Sequence, residues 1–256
     1  MASVTRRYFL ISSAALSVGC TMRRPGAPGR AASDPSVREP VLGQSWRYAK
    51  RDLYTLALLD DQIDRVAAVG ITIDIDSRSE DTKSTYTVGS SWGNGWLTKY
   101  IPHRDSYTGP LPSEVQSPWG SILVDAHWSQ VQVYETPIPL WPNRLAPGWR
   151  AYINTKYKTP SNDDGLPWEQ TMHARDWEMI TVPAGQFRAL RFSNMINFRS
   201  ADFSRADCQR QETVWIAPEV GRWVARESSG TYYIDDSAGD TPYNESAYRW
   251  ELLKWT

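Results

Sequence analysis

The stretch Thr213-Val-Trp-Ile-Ala-Pro-Glu-Val-Gly-Arg-Trp-Val-Ala-Arg-Glu227 decides the fold. Its two arms, 213–216 and 222–227, are rich in β-branched and aromatic side chains, which fit a pleated, half-buried surface. Between them Pro218 fixes its own φ and Gly221 accepts a left-handed one, so residues 217–221 turn the chain back on itself. A hairpin at this point implies antiparallel sheet.

The same grammar recurs upstream and downstream. Ile71-Thr72-Ile73-Asp74-Ile75-Asp76 alternates apolar and polar residues, which is the period of a strand with one wet face. Trp46–Tyr48, Ile122–Trp128, Gln130–Tyr134, Trp149–Tyr157, Phe187–Phe198, Tyr232–Ile234 and Ala247–Trp255 read as further strands. Glu169–Val182 reads as one or two more, ending at the turn Pro183-Ala-Gly185. Residues 53–69 carry leucines at helical spacing, but β-patterned segments flank them. We therefore expect a hairpin there, turning at Asp60-Asp61. Residues 89–95, 101–120, 137–147 and 158–167 read as connections, and a charged excursion is expected around Cys208. Turns are closely spaced and amphipathic helices nearly absent. The expected fold class is all-β, mainly antiparallel, with one strongly curved sheet or half-barrel over its own core. Thirteen tryptophans and thirteen tyrosines are many for 256 residues and are expected mostly in that core and in cross-strand pairs. Gly43–Tyr48 and Pro147–Tyr152 open strand runs with similar clusters, as a worn internal duplication would.

The N-terminus reads as an address. Arg6 and Arg7 precede a dozen apolar or small residues, too few to span a bilayer and the right number for a signal peptide. Thr5-Arg6-Arg7-Tyr8-Phe9-Leu10 resembles the twin-arginine export motif. Leu16-Ser-Val-Gly-Cys20 resembles a bacterial lipobox with its leucine one residue early. Residues 1–19 are thus expected to be a signal peptide and Cys20 the lipidated first residue of the mature chain, its acyl chains anchoring the protein to a membrane. Thr21 stands where an aspartate would resemble an inner-membrane retention signal, which favours the outer membrane and a periplasm-facing domain. Residues 20–40, with four prolines and little apolar surface, read as a tether spanning roughly 25 Å. Residues 41–256 read as a single β-rich domain.

Composition narrows the function. Without Arg6 and Arg7, 26 basic residues stand against 29 acidic ones, a net charge of −3. There is no basic excess to neutralise a phosphate backbone, so nucleic acid is disfavoured as a partner. If Cys20 carries lipid, Cys208 stands alone, and it reads as structural rather than nucleophilic. Asp74 and Asp76 share a strand face at roughly 6–7 Å, between the two glycosidase spacings, yet a wet strand face carries polar residues anyway. The run 74–81 fails as a calcium loop because Arg78 occupies a ligand position and the turn glycine is missing. Asp125-Ala-His127 and His103-Arg-Asp105 each offer two ligands where a metal needs three or four. No nucleophile elbow, phosphate loop or dinucleotide fingerprint occurs. The sequence therefore predicts no catalytic residue, metal or cofactor. Trp92 and Trp96, flanking Gly93-Asn94-Gly95, and Trp119 remain as loop aromatics for a ligand such as a glycan ring or a protein surface.

Val182-Pro-Ala-Gly185-Gln-Phe187 followed by Trp215-Ile-Ala-Pro218-Glu-Val-Gly221 resembles a pattern in bacterial envelope proteins of unassigned activity. The opening Gly43–Trp46 and closing Trp250-Glu251-Leu252 fit the same layout. The resemblance implies a curved antiparallel sheet similar to that of the lipoprotein carriers LolA and LolB, and it supplies no catalytic residues. The expectation is a non-enzymatic, lipid-anchored envelope protein that binds an apolar ligand, a glycan or another envelope protein. The alternative is an envelope glycan hydrolase acting through Asp74 and Asp76, or a glycan-binding module.

Overall fold

Alternating burial builds one continuous antiparallel sheet. The computed structural model describes residues 34–41, 43–67, 70–77, 96–99, 113–116, 119–125, 132–159, 162–234 and 242–256. Its strands are β1 (Ser45–Asp52), β2 (Leu58–Ala67), β3 (Gly70–Ser77), β4 (Trp96–Lys99), β5 (Ser113–Gln116), β6 (Ser121–Asp125) and β7 (Gln132–Pro139). They continue as β8 (Arg150–Thr159), β9 (Asn162–Val182), β10 (Gly185–Phe198), β11 (Arg205–Ala217), β12 (Arg222–Ile234), β13 (Tyr243–Asn244) and β14 (Tyr248–Trp255). Among the described residues there is no helix.

The strand order is β3-β2-β1-β14-β12-β11-β10-β9-β8-β7-β6-β5-β4, with β13 paired only to β12. From β4 to β12 the order follows the chain as a meander. The C-terminal β14 then inserts between β12 and β1 and carries the N-terminal strands onto the same sheet. Trp46 thereby lies in register with Trp255.

Long twisted strands with register slips make the sheet curl over its inner face. Slips fall at Leu190/Phe192, Trp215/Ile216, Ala206/Gln209 and Ile122/Val124. Asp207 takes a left-handed φ of 44° within one of them. The two ends of the strand order approach each other, β4 lying beside β3 and β2, without a ladder between them. The fold is thus a single curled antiparallel sheet that stops short of a closed barrel, as the patterning predicts.

Period-2 alternation fills the interior. On β8 Ile153, Thr155, Tyr157 and Thr159 point inward and are buried, while Tyr152, Asn154, Lys156 and Lys158 point outward. One core cluster gathers Trp46, Tyr48, Trp141, Phe192, Ile216, Trp223 and Trp250. A second gathers Tyr134, Tyr157, Trp168, Ile196, Phe198 and Cys208. In the second, Trp168 meets Tyr134 edge-on at 5.2 Å and lies tilted against Phe198 at 5.4 Å. Ring geometry adds about 0.5–1.5 kcal/mol per pair, whereas deleting a buried indole costs about 3–5 kcal/mol. Burial, not ring orientation, holds this core.

Several boundaries differ from the sequence reading. The turn expected at Asp60-Asp61 lies at residues 53–57, and β2 runs straight through both aspartates. The reason is the Asp52 carboxylate, which accepts the backbone N–H groups of Tyr54 and Thr55 at 2.8 and 2.7 Å and closes the turn there. The expected connection 101–120 contains β5, and β7 continues through Pro137 to Pro139. β9 begins at Asn162 inside the stretch expected to be a loop. The excursion around Cys208 shrinks to residues 199–204, because β11 carries Cys208, Arg210 and Glu212 inward as a regular strand. The folded unit also begins at Asp34 rather than residue 41. Val37 is buried in the core, and the Pro35 carbonyl accepts the Leu145 N–H at 2.7 Å. Gly221 makes this possible. At its φ of +75° it lies so close to the Arg38 carbonyl that a Cβ would stand 3.0 Å from that oxygen.

Candidate functional site

Two regions of the described chain combine polar side chains with a cavity or groove, one inside the curl and one on its outer face. Inside, β5, β6 and β7 lie across the inner faces of β10, β11 and β12. Their side chains line a cavity of about 40 Å3 together with Asn194, Ile196, Glu212, Trp223 and Arg226. That volume admits a water molecule but is far below the several hundred cubic ångströms of a small-molecule site.

Ion pairs occupy the rest of this interior. Arg222 donates to both carboxylate oxygens of Glu114 at 3.0 and 2.9 Å, with both side chains almost wholly buried. Arg226 donates to Glu212 at 2.6 Å, and Asn194 Nδ2 donates to the same carboxylate at 3.4 Å. Burial works against the charge on Arg226, but Glu212 and then Asp125 outweigh it and raise its pKa. Burial, and next the charge of Asp125, lifts the Tyr134 phenol well above its usual value. The phenol thus stays protonated. Among the described residues, no serine, cysteine, histidine or lysine lines the cavity. The arrangement joins strands across the interior of the curl.

On the outer face the strand alternation aligns a different set. Register places Glu169 opposite Asn197, Asn197 opposite Gln209 and Gln209 opposite Thr231, across β9, β10, β11 and β12. Gln209 Nε2 donates to Asn197 Oδ1 at 3.2 Å. This row forms part of the floor of an open groove of about 760 Å3, with Phe203 and Tyr233 beside it. Phe203 is 96% exposed, the most exposed large apolar side chain among the described residues. It sits on a braced loop. Asp202 accepts the backbone N–H and the hydroxyl of Ser204 at 3.0 and 2.6 Å, Arg205 lies 3.3 Å from Asp202, and Tyr157 donates to the Arg199 carbonyl at 2.6 Å. The bonds from Ser204, with Arg205 assisting, hold the Asp202 carboxyl below the usual carboxylate range.

Of the residues singled out from sequence for a ligand, Trp119 is the one whose side chain is described. Trp119 is half-buried. Its ring stacks on Trp46 at 6.1 Å, meets Trp141 edge-on at 5.6 Å, and donates Nε1–H to the Arg38 carbonyl at 3.1 Å. Trp96 lies on β4, and Trp92 lies outside the described residues, so the three tryptophans are not brought to one described site. Arg6, Arg7, Cys20, His103 and His127 also lie outside the described residues. Asp74 and Asp76 lie on β3, with Asp61 in register opposite Asp76. Among the described residues, no three potential ligands gather to hold a metal ion. His173 stands on the outer face, where partial burial and then Arg175 and Arg150 hold it below the usual imidazole value. Cys208 is buried, and burial, with Glu245 adding to it, pushes its thiol up.

Sequence reasoning missed both Glu114–Arg222 and the outer-face row. Alternation from Cys208 to Glu212 was the signal available for the second, obscured by its charged inward partners.

No protein-family model matches the chain, and no curated protein sequence does. Two solved structures are similar over 88% of this chain and the whole of theirs. One is a protein of Parabacteroides distasonis provisionally described as a lipoprotein, at 12% identity and a TM-score of 0.42. The other, from Bacteroides fragilis, is provisionally described as an exported protein with a YmcC-like fold, at 11% identity and a TM-score of 0.47.

Proposed function

We propose that this chain is a lipid-anchored protein of the cell envelope whose curled sheet is a non-enzymatic binding or assembly module. In this reading Arg6 and Arg7 direct export, Cys20 carries the lipid, and the domain faces the periplasm from the outer membrane. The observation that carries the binding role is the contrast between the two sides of the sheet. The interior is filled by aromatic rings and paired charges around a cavity of about 40 Å3, whereas the outer face offers an open groove with an almost fully exposed phenyl ring. An acyl chain has no room in the described interior, so recognition falls to the outer face.

The placement of the groove fits a tethered domain. Pro35 and Arg38 enter beside Leu145 and the 217–221 turn, at one end of β11, and Phe203 stands beyond the other end. Thirteen strand residues separate those ends, about 40 Å at strand rise.

Two measurements in cells test the reading. Intact mass of the membrane fraction is expected to show lipid on Cys20, and Cys20→Ala is expected to release the protein. A photocrosslinking residue at position 203 is expected to capture an envelope component that the same residue at exposed position 179 does not. Retention of Cys20→Ala in the membrane overturns the anchor, and equal or absent capture from both positions overturns the binding role.

A further inference from the structure

We infer that the outer-face groove at Phe203 is a carbohydrate site that takes an extended oligosaccharide laid across the strands. The inference rests on the binding role proposed above and names its ligand class. Sugar recognition calls for two kinds of surface. A flat aromatic face receives the polarised C–H bonds of a pyranose, and paired donors and acceptors receive its neighbouring hydroxyl groups. The groove has both. Phe203 and Tyr233 supply the rings, with Phe203 held out by the braced Asp202 turn instead of being folded against the sheet. Such bracing lowers the ordering cost of binding.

The polar floor matches in kind. The bond from Gln209 Nε2 to Asn197 Oδ1 uses one donor and one acceptor of these two exposed side chains, and each amide has a further acceptor or donor to offer a ligand. That pair suits two adjacent hydroxyls, one donating and one accepting. Glu169 and Thr231 continue the row on the neighbouring strands. Strands step by about 4.8 Å, close to the length of one sugar residue, so an extended chain crossing the sheet meets one polar side chain per residue.

The test is isothermal titration of the purified mature protein with three soluble hexasaccharides, of α-1,4-glucose, β-1,4-glucose and β-1,4-N-acetylglucosamine. At least one is expected to bind saturably in the micromolar to millimolar range. Phe203→Ala and the pair Asn197→Ala/Gln209→Ala are each expected to weaken that binding about tenfold or more, with circular dichroism unchanged. Met179→Ala is expected to leave it unaltered. The inference is overturned if none of the three binds, or if binding survives both groove variants. Capture of a protein from position 203 in cells without sugar binding would overturn the carbohydrate assignment and leave the binding role standing.

Discussion

Arg222 and Glu114 form a two-pronged ion pair although six strands separate β12 from β5 in the order of the sheet. The contact crosses the interior of the curl and ties its two walls together. Two opposed terms set its worth. Each ion loses several kcal/mol of hydration on burial, and the close bidentate geometry recovers it only while both partners are present.

Breaking that pair should therefore be costly and replacing it cheap. Glu114→Gln or Arg222→Met alone is expected to destabilise the fold by about 3–5 kcal/mol, because a buried charge loses its partner. The double variant Glu114→Leu/Arg222→Met is expected to lie within about 1–2 kcal/mol of the native protein. Urea denaturation of the four proteins checks this, and a double variant as unstable as the sum of the singles would refute it.

Gly221 should resist substitution more than its surface turn suggests. A Cβ there meets a left-handed φ and, 3.0 Å away, the Arg38 carbonyl. Gly221→Ala is expected to cost about 1–2 kcal/mol from backbone strain. It should also loosen the 34–38 segment, which limited proteolysis reads as faster cleavage before Leu42.

Acid should weaken the two Asp-closed turns. Backbone N–H groups, first that of Thr55, hold the Asp52 carboxyl below its usual value. A depressed folded-state pKa gives stability that is full above the unfolded value of about 3.9 and lost as pH falls through the folded one. Asp52→Asn keeps an acceptor oxygen but cannot titrate. It is expected to flatten the stability profile between about pH 5 and 2 relative to the native protein, measured by denaturant midpoints at each pH.

Cys208 should be inert while the protein is folded. It is buried among Trp168 and Phe198, and burial raises its thiol pKa, which lowers the thiolate available to attack. A chromogenic disulfide reagent is expected to label it only on unfolding, and rapid stoichiometric labelling of the native protein would contradict the packing described here.

The legible part of the fold was the alternation. Ile71–Asp76 names its own strand by apolar residues at every second position, and Thr213–Glu227 and Phe187–Phe198 name theirs by β-branched and aromatic side chains that fit a pleated surface. Turns with fixed backbone chemistry, such as Pro183-Ala184-Gly185 and 217–221, were equally plain. Illegible were strands whose inward residues are charged. Cys208, Arg210 and Glu212 break the expected pattern because their partners come from elsewhere: Glu245 for Arg210, and Arg226 and Asn194 for Glu212. Nothing local marks such a partner.

The sequence by itself determined that this chain makes antiparallel sheet and where hairpins such as 182–187 and 213–227 turn, since these follow from side-chain period and backbone chemistry. Only tertiary structure decided where β14 inserts, that Glu114 reaches Arg222 through the interior, and that Asn197, Gln209 and Phe203 share a groove. Those relations depend on how far the sheet curls. Curling is the summed result of many small twists and register slips over all its strands, a quantity no single stretch of sequence carries.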